Sequence, residues 1–296
     1  MMPAEPKTTC RSAHLPTLPP SQQQALRRAI INLEDLNFAA QLADYAGKPI
    51  ERVMRLMPKA AGNRLNKIVE AAILNCLNVA ISSIEPQSRA PPAQRVASVL
   101  AGISGGVSGF FGLAALPIEL PVTTTLILRA IADIARHHGE DLSTLEARLA
   151  CVEVFALGAP RTGRRADFGY YASRALLGRL TADATALLVE RNAANLSAPV
   201  VGSFVTEVAT RFSVVVSERS AASAMPLLGA VGGATVNVIF MNHFQRVARG
   251  HFAIRRLERK YGAGVVRRLY DEHAPRRERA PRRSSRGRFL ADRSKS

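Results

Sequence analysis

Three observations predict an all-α fold, a multi-helix bundle. Apolar residues recur every three or four positions through most of the 296-residue chain. Ser/Thr-x-x-Glu/Gln patterns open these stretches, and Gly or Pro closes them. No alternation of strand-like and helix-like runs breaks the series.

The elements follow in order. Residues 1–20 carry Pro3, Pro6, Pro16, Pro19 and Pro20 and no apolar run, so they read as a disordered segment, neither signal peptide nor transit helix. A helical domain is expected over 21–273. Ser21 to Gln24 has the form of a capping box, followed by the stripe Leu26, Ile30, Leu33 and Leu36. Pro49 opens a short helix to Met57, which Pro58 interrupts. Leu65, Ile68, Ala72, Asn75 and Val79 then mark a helix from Arg64 to Ile84, and Glu85 to Pro92 is a linker. The 23 residues from Val96 to Ile118 are uncharged. After Pro117 and Pro121 a helix runs to His138 and ends at Gly139.

Ser143 to Glu146 forms a second capping box, for a helix to Leu157 that Gly158 and Pro160 end. Arg161 to Asp167 is a polar loop; Phe168–Asn192 and Val200–Ser217 read as helices, with the β-branched run Phe212–Val216 leaving a strand open. The 26 uncharged residues Ser220–Gln245 pass without a break into a basic helix ending near Tyr261. Gly262 and Gly264 break it, and a short helix to Asp271 follows. Residues 274–296 are Arg/Ser/Pro-rich and read as a disordered tail.

The net charge of +17 is concentrated at one end: +7 over 276–296, +5 over 246–275, and +5 over all the rest. Composition excludes wholesale disorder, collagen-like repeats and disulfide scaffolds. Cys10, Cys76 and Cys151 are odd in number and form no C-x-x-C, which fits a reducing compartment with Cys76 and Cys151 as small buried apolar residues.

The placement of glycine is the most informative feature. Gly102, Gly105, Gly106, Gly109 and Gly112 form one smooth helix face in the first uncharged block, and Gly229, Gly232 and Gly233, with Asn237 one turn on, repeat the spacing in the second. Five helical glycines in water would cost about 5 kcal/mol relative to alanine, so close approach of a partner helix is expected to offset them. Both blocks contain GxxxG and both reach the length of a bilayer span. The expectation is a helical hairpin core in or against a membrane, its two glycine faces packed on each other. The equal and blander reading is a tightly packed soluble pair.

At these residues the chain resembles the EcsC family. The resemblance is carried by Leu116-Pro117-Ile118-Glu119-Leu120-Pro121, Thr123 to Thr125, Arg129 to Ala132, Gly139 to Leu142 and Phe155 to Gly158. It continues in Pro226, Gly229, Gly232, Gly233, Asn237, Ala248, Phe252 and the Arg256–Gly262 segment, and covers about residues 25–273. The family more often has Asp where Glu119 stands and often Tyr where His138 stands, which keeps the carboxylate and weakens any role for the second side chain. The family is named for a bacterial protein encoded beside ABC transporter subunits, without an assigned activity. The resemblance implies a helical, membrane-linked bacterial protein and leaves mechanism open; the expectation is a protein on the cytoplasmic face of the inner membrane, accessory to an ABC transporter or sensing lipid.

Candidate chemistry is sparse. Glu119 lies in apolar sequence, where a carboxylate must be paired, neutralised or hydrated; Thr123 and Arg129 are the sequence-near partners, and a helix N-terminal acid is the bland explanation. Arg129, Asp133 and His137 share a helix face near Glu140 and Asp141, but no metal-ligand spacing such as H-E-x-x-H occurs. No G-x-S-x-G, P-loop or dinucleotide fingerprint is present, so no cofactor is called for and the chain is not itself an ABC-type ATPase. Asn237 and Asn242 read as interhelical hydrogen-bonding groups, and His243 and His251 as interfacial. The leading reading is a non-enzymatic membrane-associated protein whose Arg-rich end meets anionic headgroups. The rival is a hydrolase with a pocket around Glu119 and His137/Asp141. Nucleic acid is an unlikely partner, since no basic patch interleaved with aromatics supports it.

Overall fold

A computed structural model describes residues 18–35, 38–46, 59–82, 116–160, 169–190, 199–223 and 229–274. These residues form nine helices and no strand: α1 Pro20–Glu34, α2 Phe38–Ala46, α3 Lys59–Ser82, α4 Leu116–His137, α5 Leu145–Leu157, α6 Tyr170–Glu190, α7 Pro199–Ser223, α8 Gly229–Tyr261 and α9 Ala263–His273.

The 33-residue α8 spans about 50 Å and is the axis of the bundle. Helix α4 runs parallel to it, because Glu119 meets Asn237 and Glu140 meets Arg255. Helix α7 runs antiparallel: Arg219 lies beside Asn237, and Phe212 beside Phe244. Helix α5 is also antiparallel, with Phe155 against Phe244 near its end and Glu146 near Arg255 at its start. Phe155, Phe212, Phe240 and Phe244 interleave with centroids 4.9–6.0 Å apart, and Phe38 of α2 closes this aromatic centre from the far side.

Local sequence explains the helix ends, with corrections. Helix α1 starts one residue before the expected box: Pro20 occupies the first position, where its missing N–H costs nothing, and no side chain caps the N-terminus. Gln23 instead donates to the Leu18 carbonyl at 2.8 Å. Helix α4 starts at Leu116, upstream of both prolines. Pro121 stands sixth, inside the helix, where it lacks the N–H that would bond the Pro117 carbonyl, and the Thr124 and Thr125 hydroxyls donate to the Leu120 and Pro121 carbonyls at 2.8 Å. Thr144 rather than Ser143 caps α5, accepting from the Ala147 N–H at 3.3 Å. Gly139, at φ 78°, ends α4 as expected. Phe212–Val216 is helical throughout, since α7 buries Phe212, Val215 and Val216 in the core.

The uninterrupted run from Ser220 into the basic helix is corrected as well: its residues are divided between α7, which ends at Ser223, and α8, which starts at Gly229, with Pro226 between them. Gly264 lies inside α9 rather than breaking it. The short helix at 49–57, the linker at 85–92, the first glycine stripe (Gly102, Gly105, Gly106, Gly109, Gly112), Cys10, the loop at 161–167 and the tail beyond Ala274 lie outside the described residues.

Candidate functional site

Two carboxylates mark opposite ends of α4. The first, Glu119, sits in the first turn. Arg219, in the last turns of α7, donates from Nη2 to its Oε1. The same guanidinium donates to Asn237 Oδ1 from Nε at 3.2 Å and from Nη2 at 2.6 Å, and Asn237 reaches back to Glu119 at 3.5 Å. The Phe240 ring lies under it, 5.1 Å from the guanidinium carbon. Arg219 is 3% and Glu119 14% exposed, so this is a largely dehydrated pair tying α4, α7 and α8 together. Such a pair is tolerated where added hydrogen bonds offset dehydration, and here Asn237 accepts from both Nε and Nη2 of the guanidinium. Arg129 does not take part; it is exposed farther along α4. Thr123 is buried, and its hydroxyl finds no partner among the described residues.

The second carboxylate, Glu140, follows the Gly139 turn. Arg255 grips it with two bonds, 2.9 and 3.0 Å, and Arg259 donates to it while also reaching the His138 carbonyl at 2.7 Å. Burial pushes the Glu140 pKa up, but the hydrogen bonds and charges of the two arginines outweigh it and leave the carboxyl below its usual range. His138 is pushed down to about 4, by burial first and then by the charges of Arg256, His137 and Arg259. A cleft of about 530 Å³ opens here, and Arg174 on its wall pairs with Glu258 at 2.7 Å. Tyr171 donates to the other Glu258 oxygen at 3.0 Å.

The cleft's acids and arginines thus bind one another. The rival catalytic grouping is not assembled either. His137 is exposed with its ring edge-on to His138, and exposed Asp141 accepts from the Ser143 N–H at 2.9 Å as a turn former. Eighteen residues of helix, about 27 Å, separate His137 from Glu119. Asp133 pairs with Arg136 at 2.9 Å. Among the described residues no three His, Cys, Asp or Glu side chains gather as metal ligands.

The remaining candidates divide. Asn237 bonds across helices as expected, whereas Asn242 is exposed. His243 and His251 are fully buried core residues, not interfacial ones: His243 bonds the Gly158 carbonyl at 2.7 Å, and His251 shares a 2.9 Å bond with the Tyr170 hydroxyl. Burial lowers both pKa values, His243 to about 4. Gly229, Gly232 and Gly233 lie in the first turns of α8. What packs against these three lies outside the described residues; close helix approach is visible at Gly250, where a Cβ would stand 2.7 Å from Leu33 Cγ and 3.0 Å from the Ala29 carbonyl oxygen. Cys76 and Cys151 are buried free thiols, as expected.

Sequence reasoning missed Arg219, Arg255 and Arg259 as partners. A signal for the first existed: Glu119 closes one uncharged block and Arg219 borders the other, so the two blocks carry opposite charges at their edges. Helix Pro199–Ala222 is the only described helix long and apolar enough to cross a membrane, with mean hydropathy 1.4, and half of it is buried inside the bundle.

No curated protein and no solved structure matches the chain. A family model, that of the EcsC protein family, matches residues 17–257, starting before α1 and ending within α8. That match takes in both ends of the Glu119–Arg219–Asn237 lock and most of the described bundle, and the chain belongs to the EcsC protein family.

Proposed function

We propose that the protein is a non-enzymatic helical protein of the cytoplasmic membrane surface, held there by anionic headgroups and serving an ABC transporter or sensing lipid. Charge distribution carries this reading. Twelve of the seventeen net positive charges fall in residues 246–296. Within the described part of that region Arg256, Lys260, Arg267 and Arg268 are exposed. Juxtamembrane cations of this kind contribute about 1 kcal/mol each near an anionic surface. Three acids of the bundle support a holding role over a catalytic one, since Glu119, Glu140 and Glu258 each hold helices together through an arginine.

Co-sedimentation with vesicles tests the reading. The full chain is expected to pellet with phosphatidylcholine vesicles containing a quarter phosphatidylglycerol and to remain in solution with phosphatidylcholine alone. Raising salt from 0.1 to 0.5 M should weaken binding strongly. Removal of residues 275–296 should weaken it too and flatten the salt dependence. Equal binding to both vesicle types, or to neither, would overturn the proposal.

A further inference from the structure

Helix α4 carries one stripe that is exposed at Ile118, Val122 and Arg129 and half-buried at Thr125, Asp133 and Arg136, where Thr125 also accepts from Asn75 of α3 at 3.1 Å. Ile118, Val122, Thr125, Arg129, Asp133 and Arg136 fall at i, i+4, i+7, i+11, i+15 and i+18, within about 80° of one another at 100° per residue. The stripe is graded. Its first turn and a half is apolar, with Ile118 79% and Val122 49% exposed. Charge begins at Arg129, about 10 Å beyond Val122 along the axis. At the far end the Asp133–Arg136 pair is followed by the cations beside His138, namely Arg256 and Arg259 of α8. The acids near this face are Asp141, used in its turn, Asp133, already paired with Arg136, and Glu140, held by Arg255 and Arg259.

The chain feeding into the apolar end supplies a second observation. The twenty residues before Leu116, from Val96 onward, carry no charge. Beneath the same end the Glu119 carboxylate is already neutralised by Arg219. An exposed isoleucine and valine, graded into arginine along one helix, match a bilayer surface: apolar groups at the headgroup–acyl boundary and cations at the phosphates.

We infer that the α4 stripe is a membrane-docking face: Ile118 and Val122 enter an anionic lipid surface by about 5–10 Å, and Arg129, Arg256 and Arg259 lie on its headgroups. This rests on the membrane reading above and adds the side of the bundle that faces lipid. The C-terminal tail leaves from the other side of α8, where Tyr270 of α9 bonds Glu34 of α1. Its 22 residues extend to at most about 75 Å, enough to reach the same leaflet.

A matched control exists. Ile31 on α1 is also an exposed isoleucine, at 61%. Helix α1 packs at Gly250, thirteen residues along α8 from Asn237, which places it on the side of α8 opposite α4. Cys76 and Cys151 are fully buried, so in a Cys10→Ser background a single thiol at position 118 or 31 takes an environment-sensitive NBD label selectively.

With vesicles containing phosphatidylglycerol, the label at 118 should shift to the blue and be quenched by nitroxide-labelled lipid, while the label at 31 should change in neither respect. The Ile118→Asp/Val122→Asp variant should bind about tenfold or more weakly, and Ile31→Asp within about twofold of the parent. Circular dichroism should be unchanged in both, since these side chains are exposed. Quenching at 31 but not 118, or at neither with binding intact, overturns this inference and leaves the membrane reading standing. A blue-shifted label at 118 before vesicles are added, or a dimer that the double variant dissolves, also overturns it, because another segment or a second copy would then cover the stripe. Loss of vesicle binding by the unlabelled parent would remove both proposals.

Discussion

Arg219 and Glu119, one hundred residues apart, share a hydrogen bond in the interior with Asn237 closing the third side. Three helices meet there, and neither charge has bulk water as an alternative partner on the scale an exposed pair would.

Breaking that pair from one side should therefore cost more than removing it altogether. Arg219→Met is expected to destabilise by about 3–5 kcal/mol, because Glu119 is left dehydrated and unpaired. Glu119→Leu combined with Arg219→Met should recover half or more of that loss. Urea denaturation of the two single variants and the double variant measures the coupling. A loss below about 1 kcal/mol for Arg219→Met would mean the pair is solvated after all.

Gly250→Ala tests the contact between α1 and α8. The added methyl meets the Ala29 backbone oxygen and the Leu33 side chain, so the helices must move apart, at about 1–3 kcal/mol. Gly178→Ala in α6 has nothing within 4 Å of its new Cβ and should stabilise by up to about 1 kcal/mol. Thermal unfolding that ranked the two variants in the reverse order would contradict the crossing.

Acid should unfold this protein before its carboxylates titrate. His138 and His243 are lowered to about 4 and His251 is well below 6.5, in each case chiefly by burial. The unfolded chain then binds more protons than the fold, so stability present above pH 6.5 falls as pH drops toward 4. For fully buried His243 alone the loss is on the order of 3 kcal/mol by pH 4. Glu140, lowered by its arginines, adds to the loss below the ordinary carboxylate value of 4.5. A melting-temperature series from pH 7.5 to 4.5 should slope steeply, and less so in His243→Gln; identical slopes would remove His243 as a cause.

Glu153 behaves in the opposite sense. It is 3% exposed and accepts from Thr181, and burial raises its pKa despite that hydrogen bond. A raised carboxyl lends its stability below the ordinary value and loses it as pH climbs through the raised one. Glu153→Gln keeps an acceptor for Thr181 and cannot ionise. At pH 8 it should be more stable than the parent, with the gap closing near pH 4.5. A variant less stable at pH 8 than at pH 4.5, each against the parent, would show that the ionised carboxylate is the form the fold favours.

Much of the architecture was legible because helices write themselves locally. Thr144, Gly139, Gly158 and Gly262 mark ends within a residue or two of the expected places. What local pattern could not show was which distant cation answers each carboxylate. Glu119 was legible as a group needing a partner, but Thr123 and Arg129 are only near in sequence, and Arg219 becomes near when α7 folds back. His243 and His251 look polar in a hydropathy pattern and are core residues here, because one ring nitrogen of each finds a partner across the bundle. Gly250, a lone glycine in a basic helix, carried no stripe to betray it.

The two carboxylates that bracket α4 both reach α8, Glu119 through Asn237 beside its ion-pair partner Arg219 of α7, and Glu140 through Arg255 and Arg259. Parallel rods fastened at both ends cannot slide past each other: a slip of one turn, about 5.4 Å, would open both fastenings at once. Shear of α4 along α8 is therefore the costly motion, and a swing of the other helices around that doubly bolted pair the cheaper one.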